Sequence, residues 1–212
     1  MMPQIRRGHS RSAIAATLAG LGLALAVTPA LTRPAAATTY AEQIRQWSRP
    51  DDIHTWIAAN FTYDRDRAIA LSETQRARGT RFAIYRPDQF FRRPSGICVD
   101  VSRFAVETMR SIAPDVGAKY LLIKFDPVRI RGNVLRMHWL ASFQRGGKYY
   151  FFADSYFPKR LAGPFDSVGD FVKHYQDARG RTVVSYRLVD TYRKQRRKLK
   201  KKQLRKSKQI AE

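Results

Sequence analysis

The chain of 212 residues has a single cysteine, Cys98, and four histidines. One cysteine excludes an internal disulfide framework, so Cys98 is buried, intermolecular or reactive. Cys98 with His54, His138 and His174 shows no ligand spacing of the zinc type, and neither a metal nor a cofactor is expected. There are no internal repeats, which excludes a solenoid or propeller. Acidic residues are scarce, 17 against 40 lysines and arginines, for a formal charge of +23. Such a surface disfavours basic partners and suits anionic ones. What is present is core material. Hydrophobic residues make up 44% and aromatics 12%, enough for one ordinary domain plus appendages rather than a disordered chain.

The appendages are visible in the charge. Residues 1–37 carry Arg6, Arg7, Arg11 and Arg33 with no acid, and Ala13 to Leu31 is almost uncharged and apolar. Ala35-Ala36-Ala37 supplies small residues of the A-x-A kind, so 1–37 reads as a secretory signal peptide cleaved after Ala37. The competing reading is a retained membrane anchor, which Gly20, Gly22, Thr17, Thr28 and Pro29 make a poor one. Residues 193–212 hold eleven Lys/Arg against Glu212, a net +10, leaving +9 for a domain over 38–192. A run of like charge is solvated and self-repelling. Behind an export signal, in a periplasmic or extracellular setting, its expected partner is anionic envelope lipid or polymer, with nucleic acid disfavoured. A merely solubilising tail is the plain alternative.

The stretch that organises the domain is Ser95-Gly96-Ile97-Cys98-Val99-Asp100-Val101-Ser102-Arg103-Phe104. A turn at Pro94-Ser95-Gly96 opens a helix that runs to Ile112 and stops at Pro114. Ile97, Val101, Phe104, Ala105, Thr108 and Ile112 recur at helical spacing and define a buried face. Cys98 falls in the first turn, where unpaired N–H groups and the positive end of the helix dipole favour a thiolate. A lone cysteine is otherwise a small core hydrophobe.

Upstream, Tyr40 to Asn60 is helical with a break at Arg49-Pro50, Asp51 being the expected cap of the second piece. A helix is expected around 67–76, and a loop or short strand over Arg81 to Pro94. After Pro114 the period changes to two. Strands are expected at 118–125, ended by Asp126-Pro127, at 135–143 and at 148–154, with a loop over 157–163, a helix over 167–176 and a last strand at 182–189. Helices first and antiparallel strands after make the class α+β.

His138 lies in the second of these strands and Asp154 ends the third. With a three-residue loop Arg145-Gly146-Gly147, Gln144 pairs with Lys148 and His138 falls opposite Asp154 on one face. A two-residue Gly146-Gly147 turn would put them on opposite faces. The three-residue loop is the expectation, and it permits a carboxylate that orients the imidazole.

Gly96-Ile97-Cys98 at a helix start, His138-Trp139 in a strand and Asp154 at a strand end, with separations of 40 and 16 residues, resemble the transglutaminase-like cysteine hydrolase superfamily, within it the bacterial transglutaminase-like cysteine proteinases. The likeness extends over 40–189, and residues 56–63 (WIAANFTY) resemble that family's upstream helix. It departs at Asp154-Ser155, where many relatives have Asp-Pro. The resemblance implies a papain-like core with the cysteine helix packed on an antiparallel sheet. It also implies Cys98 as nucleophile, His138 as general base and acid, and Asp154 as orienting group. The Cys98 N–H can be one oxyanion donor; Trp56, Tyr63 and Gln89 are candidates for the other. The expected activity is hydrolysis of an amide bond in a protein or peptide substrate through an acyl-thioester. The alternatives are amide cross-linking, and a non-catalytic envelope-binding protein that works through its basic tail.

Overall fold

The structure, a computed structural model, describes residues 38–192. The expected signal segment 1–37 and the basic tail 193–212 lie outside the described residues. Two helices, α1 (Tyr40–Gln46) and α2 (Pro50–Asn60), precede a two-residue strand β1 (Thr62–Tyr63). Short helices α3 (Arg65–Ala70), α4 (Glu73–Ala77) and α5 (Pro87–Arg92) lead to β2 (Ser95–Gly96) and the long helix α6 (Cys98–Ile112). After a 3-10 turn come β3 (Lys119–Ile130), β4 (Asn133–Arg145), β5 (Lys148–Phe152), β6 (Ala162–Phe165), α7 (Val168–Arg179) and β7 (Val183–Val189). The last five strands form one antiparallel sheet in the order β6-β5-β4-β3-β7, so the class is α+β. Among the described residues no helix is long and apolar enough to cross a membrane.

Helix α6 forms where the 3.6-residue pattern places it. Val101, Phe104, Ala105, Thr108 and Met109 are buried on one side of the sheet against Ile53 and Ile57 of α2, Phe90 of α5, and Tyr120, Ala141, Phe143 and Phe152 of the strands. Helix α7 covers the other side, where Phe171, Val172 and Tyr175 meet Leu121, Ile123, Leu140 and Phe151. Each such aromatic or aliphatic burial contributes about 1.5–3 kcal/mol, which makes this double-sided packing the main source of stability.

Several local expectations are corrected. The carboxylate at the start of α2 is Asp52, whose Oδ2 accepts the Ser48 and Arg49 N–H groups, while Asp51 pairs with Arg145 instead. The 67–76 helix is two short ones, broken where Ser72 caps the second. Part of the expected loop over 81–94 is helical, because Pro87 suits the first turn of α5. Strand β3 continues past Asp126-Pro127, since a register shift between Lys124 and Val128 absorbs the proline. Strand β6 lies where a loop was expected; it is a short edge strand paired through Tyr149 and Phe151.

Candidate active site

The approach to Cys98 is a tight one. Strand β2 pairs in parallel with β1, Tyr63 beside Gly96, and delivers the chain to α6. A Cβ on Gly96 would lie 3.0 Å from both Cβ and Oδ2 of Asp100, so a larger residue here would crowd that carboxylate. Cys98 is the first residue of α6 and is half-buried. Its N–H belongs to the group that a helix start leaves without intrahelical acceptors. Asp100, fully buried, holds this turn in place: its Oδ2 accepts the Ile97 N–H at 3.1 Å, and Arg67 clamps it from α3 with both carboxylate oxygens.

The hairpin after β4 differs from the expected one. Arg145 pairs with Lys148, so the loop is the two-residue Gly146-Gly147, not the three-residue loop. Both glycines take positive φ (57° and 73°), as a type I′ turn demands, and this turn matches the twist of the flanking strands. That register alone would turn Asp154 away from His138. The alternation is reset at Ala153, a buried alanine in the left-handed region (φ 59°), where β5 has already ended. Asp154 therefore returns to the His138 side, and its Oδ1 lies 3.2 Å from His138 Nε2. The expected pair is present, formed by a backbone reversal rather than by loop length.

His138 follows Ile123 and Leu140 in facing α7, and its ring stacks on Tyr175 at 5.9 Å. The pairing of β5 with β4 stops at Ala141, which leaves the stretch of β4 around His138 open on that edge. Here Asp154 Oδ1 meets Nε2, and Cys98 is among the groups whose proximity raises the pKa of the same ring. With Nε2 engaged, Nδ1 is the nitrogen left for sulfur. Burial would lower the His138 pKa, but the charge of Asp154, then Tyr175, the hydrogen bond that His138 donates to Asp154 and the nearby Cys98 outweigh it and hold it well above the ordinary value. Asp154 shows the converse. Burial raises its pKa, and the His138 charge and hydrogen bond, Arg179 and the Tyr156 N–H (2.8 Å to Oδ1) bring it down to about 2. The two shifts describe one coupled ion pair.

Three sequence positions thus fall in one region: Asp154 contacts His138, and Cys98 acts on the same imidazole. Ser155, where relatives of the resembled family have proline, is buried beside it. Of the three candidate oxyanion donors, Trp56 is packed among Phe91 and Phe104 at 4.9 Å, and Gln89 caps α5 through the Arg86 N–H. Tyr63 stands at the site: its pKa is raised by burial, by Tyr156 and by the Cys98 charge, and its hydroxyl lies 3.5 Å from that of Tyr156. His54 sits elsewhere, edge-on to Phe152, and His174 contacts Arg160. Among the described residues no group of three His, Cys, Asp or Glu side chains could hold a metal ion. Arg67, Tyr156, Tyr175 and Arg179 were not singled out in the sequence. No protein-family model matches the chain, and no curated protein matches it significantly.

Proposed function

We propose that this chain is an exported thiol hydrolase of the transglutaminase-like type, a cysteine peptidase or amidase. The observation that carries the reading is the buried His138–Asp154 pair, Nε2 to Oδ1 at 3.2 Å, with Cys98 at the start of α6 among the groups that act on the same imidazole. Cys98 sulfur attacks the amide carbonyl as the thiolate of a thiolate–imidazolium pair with His138. The developing oxyanion is met by the Cys98 N–H at the start of α6. The C–N bond then breaks as His138 passes its proton to the departing amine, leaving an acyl-thioester on Cys98. His138 next removes a proton from water, whose oxygen attacks the thioester and releases the acid and the thiolate. Asp154 remains ionised and keeps Nδ1 aimed at sulfur by holding Nε2. Water is the default acceptor; an amine in its place would give cross-linking. An activated ester is expected to add its acyl mass to the native protein on Cys98, seen by intact mass and peptide mapping. No adduct on Cys98 would overturn the reading.

The tail belongs to the same proposal as the element that holds the enzyme on anionic envelope lipid or polymer. Its Lys/Arg residues are each worth roughly 1 kcal/mol near such a surface at low salt. Tyr192, the last described residue, packs against Tyr120 at 6.0 Å and under Arg103 at 5.0 Å, so truncation after it spares the core. That truncation is expected to leave turnover of a small substrate unchanged and to abolish sedimentation with anionic vesicles, an interaction that salt also screens. Lost folding on truncation would make the tail a structural element instead.

A further inference from the structure

Arg179 is the last residue of α7, followed by Gly180 in the left-handed conformation. A cation there complements the helix dipole, and such a side chain ordinarily keeps its head in water. This one does not: its side chain is 11% exposed, and Nε and Nη2 are buried with no hydrogen-bond partner. The other buried guanidinium near the site, Arg67, bonds its carboxylate in a two-pronged clamp. Arg179 lies instead over the rings of Tyr156 (4.2 Å) and Phe157 (4.7 Å), with Tyr175 at 5.6 Å. Its Nη2 is 3.8 Å from Asp154 Oδ1, the oxygen that already receives His138 Nε2 and the Tyr156 N–H.

We propose that Arg179 is a positioning residue that fixes the Asp154 carboxylate against His138, and so acts on the Cys98–His138 pair through Asp154. A two-pronged bond would pull the carboxylate away from the imidazole. The aromatic cage prevents that, holding the positive charge close while leaving Oδ1 to its two donors. Tyr175 and Arg179 are four residues apart and share a face of α7. From that face Tyr175 supports the imidazole and Arg179 supports its carboxylate. The groups that face Asp154 are His138 from β4, Tyr156 from its own loop, and Tyr175 and Arg179 from α7, with Arg160 and His174 lining the same cleft. Cys98 and Tyr63 stand beyond the imidazole. Arg179 is among the causes that lower Asp154 and not among those that shift His138, which agrees with action through the carboxylate.

This inference rests on the thiol-hydrolase reading, and the test separates the two. In the full chain carrying 13C-carboxyl aspartate, the midpoint of Asp154 is followed by NMR while the pH profile of Cys98 alkylation is recorded beside it. Arg179→Gln is expected to raise the Asp154 midpoint by about one pH unit, the lower end of what an opposite charge at this range produces, and to move the acidic edge of alkylation the same way. Arg179→Lys should restore at least half of that shift. Phe157→Ala, at a position 43% exposed, opens one wall of the cage and should give a smaller shift of the same sign. An unmoved midpoint in folded Arg179→Gln overturns the proposal. Should that variant fail to fold, an unmoved midpoint in Phe157→Ala does so. The NMR midpoint is independent of any turnover, so an unreactive Cys98 counts against the enzyme reading and leaves the Arg179 result standing on its own.

Discussion

Replacement of Cys98 by serine is expected to reduce amide turnover by roughly four orders of magnitude or more, with the urea midpoint of unfolding unchanged. Cys98 is half-buried and its sulfur contributes little to the core, so the loss would be chemical rather than structural. The companion measurement is alkylation by iodoacetamide at pH 6. A free thiol, which titrates near ~8.5, is only about 0.3% thiolate at that pH. In the proposed mechanism the imidazolium of His138 stabilises a thiolate at Cys98, a gain in reactivity partly offset because a better-stabilised thiolate is a weaker nucleophile. The net expectation is alkylation on the order of tenfold faster than a model thiol, lost in His138→Ala. Asp154→Ala should retain about a hundredfold more turnover than Cys98→Ser, since an orienting group assists the attack without performing it. Native Cys98 reacting no faster than the model thiol, with His138→Ala indistinguishable from it, would end the enzyme reading and leave the envelope-binding one.

The same pair sets the pH range of stability. The Asp154 pKa is depressed to about 2, so its contribution is complete above the ordinary carboxylate value and is lost as pH falls through the folded one. His138 is raised, so its contribution is complete below the ordinary imidazole value and is lost as pH rises through the raised one. Both losses belong to a single ion pair and are counted once.

Most of the scaffold around this pair was legible because its signals are local. The apolar face of α6 and the strand-like stretches of β3 to β5 each lie within about a dozen residues; burial follows the helical pattern, while the strands are buried in continuous runs because helices cover both faces of the sheet. The proposed triad was legible only as three residue types in order. Its geometry turns on Ala153, and nothing in an alanine marks a left-handed residue, since glycine and asparagine are the usual signals. The hairpin register followed from the preference of Gly146-Gly147 for a type I′ turn, which competes directly with the longer loop in this sequence. Strand β6 contains Gly163-Pro164, which reads as loop, and is a strand only because β5 offers it an edge. Arg179 lies beyond the end of the helix expected over 167–176 and is not marked in the sequence; only the fold of residues 156 and 157 over it reveals its burial.

The least legible element is also the one whose removal should cost the most stability. The sequence singles out neither Asp100, in the first turn of α6, nor Arg67, 33 residues earlier. Together they are a buried ion pair, 0% and 8% exposed, with Nε to Oδ2 at 2.7 Å and Nη2 to Oδ1 at 2.9 Å. Asp100 also accepts the Tyr85 N–H at 3.0 Å and the Ile97 N–H at 3.1 Å, and Arg67 lies 4.0 Å over the Tyr85 ring. One carboxylate therefore ties α3, the segment before α5 and the turn bearing Cys98 to each other. Arg67→Met would leave that carboxylate buried and uncompensated, for an expected loss of about 3–5 kcal/mol, read as a lower urea midpoint at constant slope. Against a total of roughly 5–15 kcal/mol for a domain, this brings the chain close to unfolding. An apolar replacement of both partners, Arg67→Met with Asp100→Leu, removes the stranded charge and should recover part of the loss. Full recovery is not expected, because the Ile97 and Tyr85 N–H groups would still lack their acceptor. A loss below about 1 kcal/mol in Arg67→Met would place the pair in the range of solvated surface bridges and remove it as the anchor of the cysteine turn.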